Sequence, residues 1–143
     1  MRKLILILMI FQIVIVENNL CAQTSENFPL EMLENRDWFI KFVDADHNKR
    51  PAQGIKMENN MLISFAYFDG KRKELKAPYY ISNTLDKTFV PSKIGKYKSG
   101  KYLIINDPSG FMCAKIIAVT KTEMLLHCYW TNTQLSFTTK RPD

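Results

Sequence analysis

The residues of this chain that can do chemistry fall into four groups, and spacing disposes of most of them. Gly95-Lys96-Tyr97-Lys98-Ser99-Gly100-Lys101 has the G-x4-G-K spacing of a phosphate-binding loop. That loop needs a Ser or Thr next, to hold magnesium, and must open a helix whose amide dipoles face the phosphates. Tyr102 stands there instead, followed by the strand-like Leu103-Ile104-Ile105. Asp44-Ala45-Asp46-His47-Asn48 copies the start of a calcium loop, but Lys49 replaces its obligatory Gly and Ile55 its bidentate Glu. It reads as a polar turn. His47 and His127 are the only histidines, without carboxylate partners at metal-site spacing. No G-x-S-x-G elbow occurs, and no carboxylate pair is marked out. No enzyme, metal site or cofactor is implied.

Three cysteines remain to be placed. Cys21 lies in an N-terminal stretch described below, which leaves Cys113 and Cys128 as an even pair. In an oxidising compartment such a pair is a disulfide candidate. An even number of residues in the connection near Thr120-Lys121 puts both cysteines on one face, with 113 opposite 128; an odd number puts them on opposite faces. The bond, closing a loop of about 15 residues, would stabilise by about 3 kcal/mol.

The elements that must position these residues are strands. Asn27 and Phe28 precede a possible helical turn over Pro29–Glu34, after which hydrophobicity alternates with period two. Trp38, Ile40 and Phe42 alternate with Asp37, Phe39 and Lys41. Further strands are expected over Gly54–Met57 and Met61–Phe68, and from the strong Asp69-Gly70 hairpin signal toward Tyr79-Tyr80-Ile81. The stretch from Ser82 to Gly100 is irregular, with a short strand expected near Phe89. Regular alternation resumes in Tyr102–Ile105, Phe111–Val119, Met124–Trp130 and Leu135–Thr139. About eight strands at roughly ten-residue spacing, with no crossover helix, exclude a parallel sheet. The economical arrangement is an all-β, antiparallel up-and-down barrel, because closure removes exposed edges. A sandwich is the alternative.

The first 23 residues set the compartment. Met1-Arg2-Lys3 is basic, Leu4 to Val16 is apolar except for Gln12, and Glu17-Asn18-Asn19 leads to Leu20-Cys21-Ala22-Gln23. That order matches a secretory signal peptide over residues 1–22, with the working domain at 23–143. The apolar run falls short of the roughly 20 residues that cross a bilayer. The expected location is exported: periplasm, cell envelope or extracellular. Membrane association is expected only if Cys21 is lipidated, and Asn18-Asn19-Leu20 is a poor match to the residues that precede a lipidated cysteine. The 20 basic and 14 acidic residues give a formal charge of +6, spread as solvated faces. No nucleic-acid partner is implied.

The order of features resembles the lipocalins: a short helical turn, a first strand opening on Trp38, a string of hairpins, and a last strand ending in Phe137-Thr138-Thr139-Lys140-Arg141. The stretches Ala77–Ser82 and Gly95–Leu103 also look like the lipocalin-like domains of small exported Bacteroides-type proteins, and the Cys-Ala-Gln signal end suits that group. Where the family has a Gly two residues before the Trp, this chain has Arg36. The resemblance implies that Trp38 is the indole at the barrel floor and that Lys140 or Arg141 is the cation packed over it. It also implies a cup that holds a small apolar or amphipathic ligand, or a filled barrel recruited as a protein-binding module of the cell envelope, an inhibitor or accessory subunit. An eight-stranded barrel is wide enough to be filled by side chains or to hold one ligand. With Trp38 at the floor, the expected ligand-binding residues are Trp38, Ile40, Phe42, Phe65, Tyr79, Tyr80, Leu103, Ile105, Leu126 and Trp130. Tyr79 or Tyr80 would supply a hydroxyl near the open end, and Lys96 and Lys98 would stand at the rim for an anionic headgroup.

Overall fold

The computed structural model describes residues 27–42 and 50–142. The signal-like segment, Cys21 and the Asp44–Asn48 motif with His47 lie outside the described residues. The chain forms strands β1 (Phe28–Pro29), β2 (Asp37–Ile40), β3 (Gln53–Glu58), β4 (Met61–Phe68), β5 (Lys71–Ser82), β6 (Ser99–Gly100), β7 (Tyr102–Asp107), β8 (Gly110–Val119), β9 (Glu123–Cys128) and β10 (Thr133–Thr138). Short 3-10 turns span Leu30–Met32 and Pro91–Lys93. Eight strands close a barrel in the order β10-β2-β3-β4-β5-β7-β8-β9, all pairs antiparallel.

Turn chemistry sets the hairpins. Asn59 and Asn60, both with positive φ, join β3 to β4; Asp69 and Gly70 do the same between β4 and β5. Two consecutive positive-φ residues match the right-handed twist of the flanking strands, and Asn, Asp and Gly reach that conformation cheaply. Between β8 and β9 the Thr120 hydroxyl accepts from the amides of Thr122 and Glu123, which tightens the turn.

The interior is the apolar face of each alternation. Trp38, Met57, Leu62, Leu103, Ile116, Leu126 and Phe137 are buried there with Tyr79 and Cys128. The N-terminal segment seals one end. Phe28 and Pro29 pair with Gly100 and Ser99, the Leu30 amide donates to the Lys98 carbonyl at 2.8 Å, and Leu33 is wholly buried. The Gly95–Lys101 segment is thus a structural strap over the barrel floor.

No strand forms near Phe89. The segment following β5 instead lies on the outer wall, where Phe89, Val90 and Ile94 cover Tyr80, Ile104 and Cys113. Asp86 staples it in place, accepting from the Tyr80 hydroxyl at 2.7 Å, the Thr84 hydroxyl at 2.8 Å and the Lys93 ammonium at 2.8 Å. Burial raises the Asp86 pKa, but these donors outweigh it and leave the carboxyl below its ordinary value.

The disulfide expectation is corrected. Cys113 and Cys128 are both free and buried, Cys113 under the outer flap and Cys128 inside the barrel. The β8–β9 connection is even, since Val119 pairs with Met124, but the register shifts between Ile116 and Ala118, so that Ala114 rather than Cys113 faces Cys128. One extra residue on one strand reverses which side chains point inward beyond it. Burial pushes both thiols up, Cys113 to about 12 with help from the Asp86 charge and Cys128 to about 11.

Candidate functional site

The two ends of the barrel differ in what fills them. At the floor the Trp38 indole donates to the Leu33 carbonyl at 2.8 Å, and the Tyr79 hydroxyl donates to Glu34 at 3.1 Å. Burial, then the Glu34 charge, raises the Tyr79 pKa. The cation over Trp38 is Arg36, 5.7 Å from the ring centroid, and its guanidinium also donates to the Lys121 carbonyl at 3.0 Å. Arg141 lies instead 3.9 Å over Tyr67 on the outer wall. Arg36 supplies the cation that the resemblance expects from Lys140 or Arg141, because it sits two positions before the indole and reaches across the floor to the β8–β9 turn.

Above the floor a small cavity of about 110 Å³ is lined by Ile40, Ile55, Leu62, Ser64, Leu103, Ile105, Ala114, Leu126 and Trp130, among others. Drug-sized ligands occupy roughly 300–1,000 Å³, so the enclosed part of the barrel is mostly filled. Ile40, Ile55 and Ser64 also line an adjoining trough of about 550 Å³, bounded by Gln53, Gly54, Phe65, Ala66, Phe68, Lys73, Leu75 and Glu74, whose carboxylate is paired with Arg72. Leu75 is 75% exposed and Phe68 49%. Trp130, 43% exposed, lines the smaller cavity with Asp107.

The expected site residues separate into three sets. Ile40, Leu103, Ile105, Leu126 and Trp130 line the cavity together. Trp38 and Tyr79 face inward but belong to the floor, so Tyr79 does not serve the open end. Phe65, Tyr80 and Phe42 do not line this cavity, although Phe65 borders the trough beside it. Phe65 is on the outer wall, its ring 5.4 Å from Phe39 and 3.9 Å from the Arg72 guanidinium. Arg72 is in turn held by Asp37 at 2.6 Å and Glu74 at 2.7 Å. Tyr80 is covered by the outer flap, and Phe42 packs under Arg50 at 4.9 Å. It lines a separate cavity of about 480 Å³ with Lys41, Thr138 and Lys140.

The inward face of β4 is therefore Leu62, Ser64 and Ala66 rather than Ile63, Phe65 and Tyr67. Gly54 explains the large aromatic outside. It stands between Phe39 and Phe65 in register, and the two rings meet edge to face over it. A Cβ at Gly54 would fall 1.9 Å from the Trp38 carbonyl oxygen.

Lys96 and Lys98 are not at the rim. The Lys98 carbonyl accepts from Leu30, and Gly95 abuts Asn60 of the floor-side β3–β4 turn. The cation at the trough is Lys73. The missed residues, Ser64, Ala66, Lys73 and Leu75, carried one usable signal: small side chains on one face of Met61–Phe68 leave space. Among the described residues no cluster of three metal-ligating side chains occurs, and no helix is long and apolar enough to cross a membrane. No family model, curated protein or solved structure matches the chain.

Proposed function

We propose that this is an exported lipocalin-like protein that binds the apolar part of a small amphipathic molecule at the mouth of its barrel. One observation carries the reading: the apolar trough of about 550 Å³ with Leu75 75% exposed at its edge. Exposed leucine beside a concavity loses unfavourable hydration when a ligand covers it, worth about 25 cal/mol per Å² of apolar area. The 110 Å³ cavity below takes only the end of a chain. Lys73 at the trough favours an anionic headgroup.

The test is titration with monomeric dodecanoate while tryptophan emission is followed. Trp38 is fully buried at the floor and Trp130 is partly exposed at the cavity, so a saturable change is expected that disappears in Trp130→Phe. Leu75→Asp should weaken binding without altering the fold. Absence of a saturable change with carboxylate, sulfate and neutral twelve-carbon amphiphiles would reject the carrier reading.

A further inference from the structure

The barrel is closed, yet one strand keeps a bare edge. All of β5 from Lys71 to Pro78 pairs with β4, whereas its pairing with β7 covers only Tyr79 to Ser82. Among the described residues nothing pairs with the other side of Lys71–Ala77. Pro78 marks the break, and β7 itself runs only two residues past Ile105 before it ends at Asp107. The Tyr79 amide donates to the Asn60 carbonyl, on the β4 side. Successive amides of a strand point to opposite sides, so the next one toward the mouth on the β7 side belongs to residue 78. Proline has no N–H to give. The ladder stops there, and beyond it the amides and carbonyls of Arg72, Glu74 and Lys76 face the open edge. Lys71, Lys73, Glu74, Leu75 and Lys76 are exposed.

We propose that this edge is a docking strand for an extended acidic segment of a partner protein, which would add a ninth strand beside β5. Main-chain hydrogen bonds to Arg72, Glu74 and Lys76 would supply affinity, as in other strand additions. Charge selects the occupant. The edge carries Lys71, Arg72, Lys73 and Lys76 against the single carboxylate Glu74. Arg72 is already neutralised by Asp37 and Glu74, while the three lysines form no ion pair among the described residues. Two copies of such a strand repel each other, which disfavours self-pairing. A partner strand with carboxylates beside the lysines and an apolar residue beside Leu75 satisfies both the charge and the exposed side chain.

The probe is a capped eight-residue peptide of alternating glutamate and valine, with an alternating lysine–valine peptide as control. Hydrogen exchange read at single residues should show the Arg72, Glu74 and Lys76 amides exchanging fast in the free protein and slowing at least about tenfold at saturation, a factor equal to about 1.4 kcal/mol. The lysine peptide should give no protection. In the double variant Lys71→Glu, Lys76→Glu, whose altered side chains are solvent-exposed and do not line the trough, binding of the acidic peptide should be lost, while dodecanoate-induced change at Trp130 is retained. Equal binding of both peptides, protection confined to other strands, or binding of anionic phosphatidylglycerol vesicles without binding of the peptide would each overturn the proposal.

Discussion

At the floor, Trp38, Leu33 and Met57 are wholly buried and every polar group near them is matched: indole to carbonyl, hydroxyl to carboxylate, guanidinium to the carbonyl of a distant turn. At the mouth, Leu75, Phe68 and Trp130 remain exposed beside open space. The contrast teaches where stability and binding reside. Burial with satisfied polar groups locks one end, and the other end keeps apolar surface unspent for something that is not part of the barrel.

The sharpest way to break this comparison is to remove one apolar side chain from each end. Trp38→Ala deletes a fully buried indole and orphans the Leu33 carbonyl, and urea unfolding should show a loss of about 3–5 kcal/mol. Leu75→Ala at the mouth should stay within about 0.5 kcal/mol of the parent. Equal losses would mean that the mouth is core as well.

Gly54→Ala tests the wall between the two ends. The added methyl collides with the backbone of β2, and overpacking of this kind costs about 1–3 kcal/mol. A thermal midpoint equal to the parent's would show that β2 and β3 can move apart without penalty.

Arg36→Ala should cost about 1 kcal/mol, the size of a partly exposed cation–π contact. Arg141→Ala removes a contact from Tyr67 on the outer wall, and near-UV circular dichroism should show the Trp38 signal disturbed only by the first. A Trp38 signal disturbed by Arg141→Ala instead would restore the last-strand cation to the floor.

The smallest effect at neutral pH is the thiols', which appears only in alkali. Both thiols have folded values above the ordinary 9.0, Cys113 about 12 and Cys128 about 11. A raised value means that the unfolded chain releases its protons first. Their contribution is thus fully present below pH 9.0 and is lost as pH rises through 11 and 12. Denaturant midpoints measured from pH 8 to 11 should fall, and should fall less in Cys113→Ala. Ellman titration should find both thiols masked in the native protein and both reactive once it is unfolded without reductant; thiols that stayed unreactive would restore the bond.

The sequence by itself determined the number of barrel strands, their approximate places and the hairpin at Asp69-Gly70, because period-two alternation and turn residues that reach positive φ cheaply are local signals. The resemblance to the lipocalins implied Trp38 at the floor, and from that the sequence grouped Ile40, Leu103, Ile105, Leu126 and Trp130, which now line one cavity. Which face of each strand turned inward was decided only in three dimensions. A single bulge after Ile116 parted Cys113 from Cys128, and the gap over Gly54 gave Phe39 and Phe65 a place outside. The Phe89–Ile94 flap hid Tyr80 on the outer wall. Alternation specifies that two faces differ, not which of two apolar faces is the inside. Where both faces of a strand are apolar, as in Leu62 to Phe65, the choice falls to packing against distant strands. The open edge at Lys71–Ala77 belongs to the same class: Pro78 is visible in the sequence, but only the closed barrel shows which neighbour its missing N–H deprives.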